Sequence, residues 1–404
     1  MSTRRSTGQQ CDAGTGAGRR GRTAAGLAIA GAAALLVVQV AFPGSARTEP
    51  PAGLDHLYVT AAGSDRLLGY DLIPGAAPRP NPAATETTGF GALSVKASAD
   101  GRFLYTLSVL PTPAIHVFAI AADGGLTTVP GAPVVVTLPP LGMNVSPDGR
   151  HLVLISGPDS GGNAVVQGFS VSADGVPAPQ GAPVRVGSLA ASGPVPMAAV
   201  SPDNRHVYVS DYLAGTVTRY ELDGENGAVS PARETVAVGG GPVSPTVSAD
   251  GRFLFAACEH AGGVAVLGID PASGRLNPVP GSPFPAAGLV PHGIGLSPDG
   301  RLLYTPDAVT NDVSGYAVQA DGSLRPLPGS PYPGGPLGTL PGQVFVSSDG
   351  GSLYGVDLAG GSTAGSAAVR SYRIGPDGAL TGDPIAPVNT GVVFSAASVL
   401  VPGR

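Results

Sequence analysis

The chain has 404 residues, a formal net charge of −6 and only 12% charged residues, with Lys96 its sole lysine. Beyond its first 46 residues the chain is acidic with no basic cluster, which excludes it as a binder of nucleic acid or of an anionic membrane surface. Gly (62) and Pro (42) fall at fixed offsets between short apolar runs, as turn punctuation does, and 43% of residues are hydrophobic, which excludes a disordered chain.

In chain order, residues 1–46 read as an export signal. Arg4, Arg5, Arg19, Arg20 and Arg22 form a positive start, residues 23–42 are almost wholly apolar or small, and Gly44-Ser45-Ala46 offers a cleavage point. The other reading of the apolar stretch is an uncleaved membrane anchor, for which it is long enough. Either way the expected location is extracellular or associated with the cell envelope. A match to a phosphate-binding glycine motif at 16–21 lies in this segment with no strand before it, and is discounted. Cleavage takes the charge to −10 and leaves Cys258 as the only cysteine, so no internal disulfide staples the mature chain.

A strand pair follows at 56–72, HLYVTAAGSDRLLGYDL. From there one phrase recurs six times: SADGRFLYT at 98–106, SPDGRHLVL at 146–154, SPDNRHVYV at 201–209, SADGRFLFA at 248–256, SPDGRLLYT at 297–305 and SSDGGSLYG at 347–355. The arginines Arg102, Arg150, Arg205, Arg252 and Arg301 are spaced by 48, 55, 47 and 49 residues. Each unit runs in the same order: apolar run, S-x-D-G turn, aliphatic-aromatic run, alternating run, and a Pro-rich connector. About four short strands per unit are predicted, with no helical periodicity. Repeats of this length and content are the blades of a β-propeller. The first strand pair lacks its leading strand, and the apolar run TGVVFSAASVLV at 390–401 has no blade after it. Pairing the C-terminal strand with the N-terminal blade closes a ring of seven four-stranded blades, so residues 47–404 are expected to be one all-β domain and a monomer. The extra length of the 55-residue step is assigned to loops at 156–163 and 186–194.

The phrase S-P-D-G-R-x-L-Y-V, together with the connectors LTTVPGAPV (126–134), LNPVPGSPFP (276–285) and LRPLPGSPYP (324–333), resembles the lactonase-type seven-bladed propellers, the family of the propeller 6-phosphogluconolactonases. The resemblance covers about residues 54–401 and implies a functional site at the mouth of the central channel. The family's Y-V-P-D-L-G is similar to Tyr208-Val209-Ser210-Asp211, followed by Tyr212-Leu213, and its N-E-L is similar to Cys258-Glu259-His260. Its basic positions do not carry over. P-H-P-H reads Pro194-Val195-Pro196-Met197, and P-R-H reads Pro242-Val243-Ser244; a Pro-His pair stands one blade further on, at Pro291-His292.

Lactone hydrolysis requires a base to activate water and a donor or cation for the developing oxyanion. Asp211 and Glu259 are the candidate bases and His292 the candidate electrophile. Asp307, Asp357 and His260 are candidate ligand-binding groups. A second pattern sets Asp211, Asp307 and Asp357 three residues after the second-strand aromatic of their blades. Glu259 stands one position later in the blade between the first two; either each acid caps its own turn, or they converge on a hard cation such as Ca²⁺, which takes carboxylate and carbonyl oxygens, and no other cofactor is expected. The leading functional expectation is an exported propeller that recognises a small ligand, glycan or protein at the channel mouth without the family's full catalytic set. The alternative is a lactonase with a rearranged site.

Overall fold

The computed structural model describes residues 53–61, 63–188, 197–334, 340–359, 366–392 and 394–404. The expected signal segment, the Gly44–Ala46 cleavage point and Pro194-Val195-Pro196 lie outside the described residues.

Each S-x-D-G phrase closes a hairpin through one repeated set of bonds. The serine hydroxyl donates to the aspartate two residues on at 2.5–2.6 Å in all six copies. The same serine oxygen accepts the backbone N–H five residues on, as in Leu302 N to Ser297 Oγ at 2.9 Å. The aspartate then accepts the N–H two residues beyond itself, as in Arg301 N to Asp299 Oδ1 at 3.0 Å. The residue between must adopt a left-handed backbone, which glycine does at no steric cost; Gly300 has φ +70°. Blade 4 places Asn204 there, at φ 58°, the non-glycine residue that tolerates the conformation best. The arginines that follow lie in solvent and pair with the aspartate of their own turn, at 2.6–2.8 Å in three copies.

The hairpins build seven sheets. Blades 2 to 7 occupy residues 95–135, 140–188, 197–237, 242–285, 295–333 and 340–389 in succession. Blade 1 is composite: Asp55–Ala61, Arg66–Leu72 and Arg79–Thr87 are joined by the C-terminal Ser395–Val401 as the innermost strand. The predicted closure is therefore present, with Tyr58 opposite Val399 and Leu57 opposite Leu400. Two side chains clasp it. Asp55 accepts from Ser348 N and Ser348 Oγ of the blade 7 hairpin, both at 2.7 Å, and from Gly403 N at 3.2 Å. Gln343 Oε1 of blade 7 accepts from Ser398 N and Oγ at 2.7 and 2.6 Å.

Second strands are buried along their whole length in Phe253–Cys258 and at all but their ends in others such as Leu302–Asp307, because neighbouring blades cover both faces. That explains why their sequences are continuous apolar runs rather than alternating ones. Among the described residues, seven apolar clusters each join two adjacent blades. Tyrosines add a polar tie at three of these joints. Tyr58, Tyr208 and Tyr304 donate to the carbonyls of Gly124, Gly274 and Gly378 in the next blade, at 2.7, 3.0 and 2.7 Å. The connectors of blades 2, 5 and 6 carry cis X-Pro bonds at Pro133, Pro283 and Pro331, and there the outer edge is split into two short strands on one partner. Blade 3 departs from expectation. Residues 186–188, assigned to a loop, belong to the long outer strand Pro177–Ser188, so the extra length is spent partly on strand pairing; residues 189–194 lie outside the described residues.

Replacing Ser297 by Ala removes both bonds that fix one hairpin at a site only 6% exposed, and should cost about 1–2 kcal/mol. Arg301→Met, at an exposed pair 3.9 Å apart, should change stability little. Urea denaturation midpoints test this; equal midpoints for wild type and Ser297→Ala would remove the turn from the stability account.

Candidate functional site

Three consecutive blades bring their differing residues together at one rim of the ring. Glu259 follows the second strand of blade 5 and is anchored by its own N–H, which donates to Gly241 O at 3.0 Å. His292 precedes the short inner strand of blade 6, Gly295–Leu296, and its N–H donates to Pro306 O at 3.0 Å. Tyr212 follows the second strand of blade 4. Gly241, at φ +71°, makes room for it: a Cβ there would stand 3.0 Å from the Tyr212 ring.

The side chains form a chain of bonds. Glu259 Oε1 pairs with His292 Nδ1. Glu259 Oε2 accepts from the Tyr212 hydroxyl at 2.7 Å. Tyr212 Oη also lies 3.0 Å from His260 Nε2, with the two rings edge-on at 5.0 Å. The Glu259 side chain is 9% exposed and that of His292 22%. Burial opposes the Glu259 charge, but the bonds from His292 and Tyr212 outweigh it and hold the carboxyl below its ordinary range. Tyr212 moves the other way, up to about 12, through burial and its bond to Glu259. An ionised carboxylate on Nδ1 fixes the imidazole orientation and makes Nδ1 the donor, so Nε2 carries the free lone pair.

The remaining candidates do not join this cluster. Asp211 Oδ1 accepts from Leu213 N and Ala214 N, both at 3.1 Å, which is the turn-capping reading. Asp357 is wholly buried and paired with Arg370, at 2.9–3.2 Å through two guanidinium nitrogens. Asp307 is also wholly buried. Its Oδ2 accepts from Ser314 Oγ at 2.6 Å, and Asp312 is its register partner across the hairpin. Burial, with the Asp312 carboxyl beside it, pushes Asp307 up to about 7. Among the described residues, no three acidic, histidine or cysteine side chains gather as a metal ion would require. The expected convergence of Asp211, Asp307 and Asp357 on one cation is therefore not built, because each is committed to a different local partner. Cys258 is buried, and its thiol is pushed up to about 11.

At the positions where the resemblance leads one to look for basic groups, Val243 is fully buried and Met197 Sδ accepts from Ser244 N at 3.2 Å. The family model described as Lactonase, 7-bladed beta-propeller, matches residues 197–290, the stretch that supplies Tyr212, Glu259 and His260. The chain is a seven-bladed β-propeller, and it is similar to the lactonase propellers over that stretch. A 6-phosphogluconolactonase of Cronobacter sakazakii is 35% identical over 134 residues, which are 32% of this chain and 37% of that protein. The match thus spans little more than a third of that relative. The periplasmic gluconolactonase of Pseudomonas aeruginosa superposes with a TM-score of 0.67 at 23% identity, over 87% of this chain and 100% of that one. A candidate 6-phosphogluconolactonase of Bacteroides uniformis gives 0.66 at 21%, over the same shares. At these identities the two structures show the shared fold.

Three partners in this propeller escaped the reading of the sequence. Tyr212 stands directly after Asp211, where the family pattern has a leucine, and that replacement was the available signal. Arg370 carried none, since it lies on a different strand from Asp357. Asp312 was signalled by Asp307 and Asp312 flanking a single short hairpin, an arrangement that sets two carboxyls face to face.

Asp307 supplies a pH test. It holds its proton to about pH 7 when folded and loses it near 3.8 when unfolded. The native state therefore binds more protons over that interval, and stability should fall as pH rises from about 4 to about 7. Asp307→Asn, which keeps an acceptor for Ser314, should flatten the decline. Melting temperatures measured from pH 4.5 to 8 decide it; parallel curves for the two proteins would contradict the assignment.

Proposed function

We propose that the chain hydrolyses a sugar lactone or related cyclic ester at the channel mouth, with His292 as the base that activates water. The observation that carries this reading is the Glu259–His292 pair with Nε2 left open. A carboxylate-positioned imidazole at the rim of the ring is the arrangement a water-activating base needs. Water adds to the ester carbon while Nε2 takes its proton. The tetrahedral adduct collapses by releasing the ring oxygen, which recovers the proton from the imidazolium and leaves a hydroxy acid. Glu259 positions the ring and stabilises the imidazolium; its depressed proton affinity makes it the weaker base of the two. This reverses the expected roles, in which Glu259 or Asp211 was the base and His292 the electrophile. The lactonase designations of the similar proteins agree with the substrate class.

A second reading, ligand recognition without turnover, rests on Val243 and Met197 standing at the family's basic positions. An oxyanion donor is worth roughly 10²–10³ in rate, and its loss would leave a binding site. We also propose that residues 1–46 export the chain, so that the ligand is met outside the cytoplasm. N-terminal sequencing of the protein recovered from the cell envelope or medium should start near Arg47; a start at or close to Met1 would refute cleavage.

The activity test is a panel of sugar and aliphatic lactones with wild type, His292→Gln and Glu259→Gln. His292→Gln should lower kcat/KM by about 10²–10⁴-fold. Glu259→Gln should lower it less and move the rising limb of the pH profile toward lower pH, because the imidazolium loses its counter-charge. Saturable binding without turnover by wild type would support the recognition reading. Turnover that is insensitive to both substitutions would place the chemistry elsewhere.

A further inference from the structure

The inner strands carry a second polar feature, on a different level from the rim. Lys96 is opposite Tyr105 in blade 2, Asn144 opposite Val153 in blade 3, Ala199 opposite Tyr208 in blade 4 and Thr246 opposite Phe255 in blade 5. These partners share one position in the repeated R-x-L-Y strand, so the four residues sit at one height. All four line a cavity of about 430 Å³.

The lining of this cavity holds no acidic residue, and Lys96 is its one charged group. The polar neighbours are already committed. Asn144 donates to Ala198 O at 2.9 Å and accepts from Val145 N at 2.8 Å. Thr246 Oγ1 donates to Ser244 O at 3.1 Å. Solvent still reaches part of Lys96 through the cavity, yet protein surrounds the side chain closely enough that burial lowers its proton affinity, with no compensating carboxylate. An ammonium group in such a place lacks an acceptor, and the surrounding wall cannot supply a counter-charge.

We propose that this cavity is an anion site centred on Lys96, taking a small oxyanion, a phosphate or a carboxylate. The anion supplies both the missing acceptors and the missing charge, and a lysine ammonium serves it as a point charge with three donors. Asn144, Ala199 and Thr246 leave the wall uncharged, so the attraction is not cancelled. The site stands independently of lactone hydrolysis at the rim, because none of Tyr212, Glu259 or His292 lines it.

Because Lys96 is the only lysine, selective ¹⁵Nζ-lysine labelling of the full protein gives one side-chain resonance for this group. Titration with inorganic phosphate, and separately with gluconate, should move that resonance saturably and raise the pH at which it titrates. A matched titration with sodium chloride should not. A response to either anion supports the site and tells phosphate from carboxylate. No response to both, or one reproduced by chloride at equal ionic strength, overturns it. Phosphate should also raise the melting temperature of wild type by about 2 °C at a saturating concentration, and leave Lys96→Met unmoved. An equal rise in both proteins would overturn the assignment. If the variant does not fold, the wild-type resonance still decides.

Discussion

Ring closure is the constraint on which everything else rests. No blade can bury both faces of its own sheet, and every apolar cluster lies between two blades. An open ring would leave two sheet faces and two strand edges in water. The chain avoids this by lending its last strand to its first blade, and Asp55 shows how closely that loan is controlled. This one buried carboxylate accepts from the blade 7 hairpin and from the backbone just after the closing strand. It therefore fixes three segments remote in sequence with two oxygens. Gln343 does the same for the closing strand from the blade 7 side.

With the ring closed, geometry is shared out equally and chemistry is not. Six near-equivalent hairpins and the composite first blade set seven near-equivalent rim positions, and those positions differ only where the repeat breaks. Tyr212, Glu259 and His292 meet because blades 4, 5 and 6 are consecutive, and because Gly241 lets the tyrosine ring lie over the backbone entering the inner strand. Tyr212 and Glu259 follow directly on regular second strands, whereas His292 is reached through Val290, which holds a left-handed backbone at φ 62°. The scaffold supplies the positioning, which is what a preorganised site demands.

The sequence was most legible where it repeats. Turn, strand order, blade number and closure follow from residues whose spacing is fixed, and each proves to have a local cause, such as the serine that bonds its own aspartate and the strand start beyond. The site was legible only in part, for a physical reason. Glu259 and His292 are 33 residues apart, yet they bond directly, and nothing in either phrase announces the other. Asp307 and Asp357 looked alike, each three residues after a tyrosine. They differ because one faces Asp312 and the other faces Arg370, and those partners come from the third strand of the blade. Register across a hairpin is what separates them, and a motif read along one strand does not contain it.

The acids illustrate why position outweighs residue type in a chain with so few charges. Glu259 is nearly buried and stays ionised because two donors converge on it. Asp307, equally hidden, meets a second carboxyl and one hydroxyl, and holds its proton to about 7. Asp357 is buried as well, and desolvation outweighs even its Arg370 partner in raising it above the ordinary range. In a highly charged protein these effects would be blurred by many neighbours. Here Glu259, Asp307 and Asp357 each see one or two partners, so a single substitution beside one of them resets the local balance. The same reasoning applies to Lys96 with the sign reversed: an isolated ammonium among committed neighbours takes its character from whatever anion enters beside it.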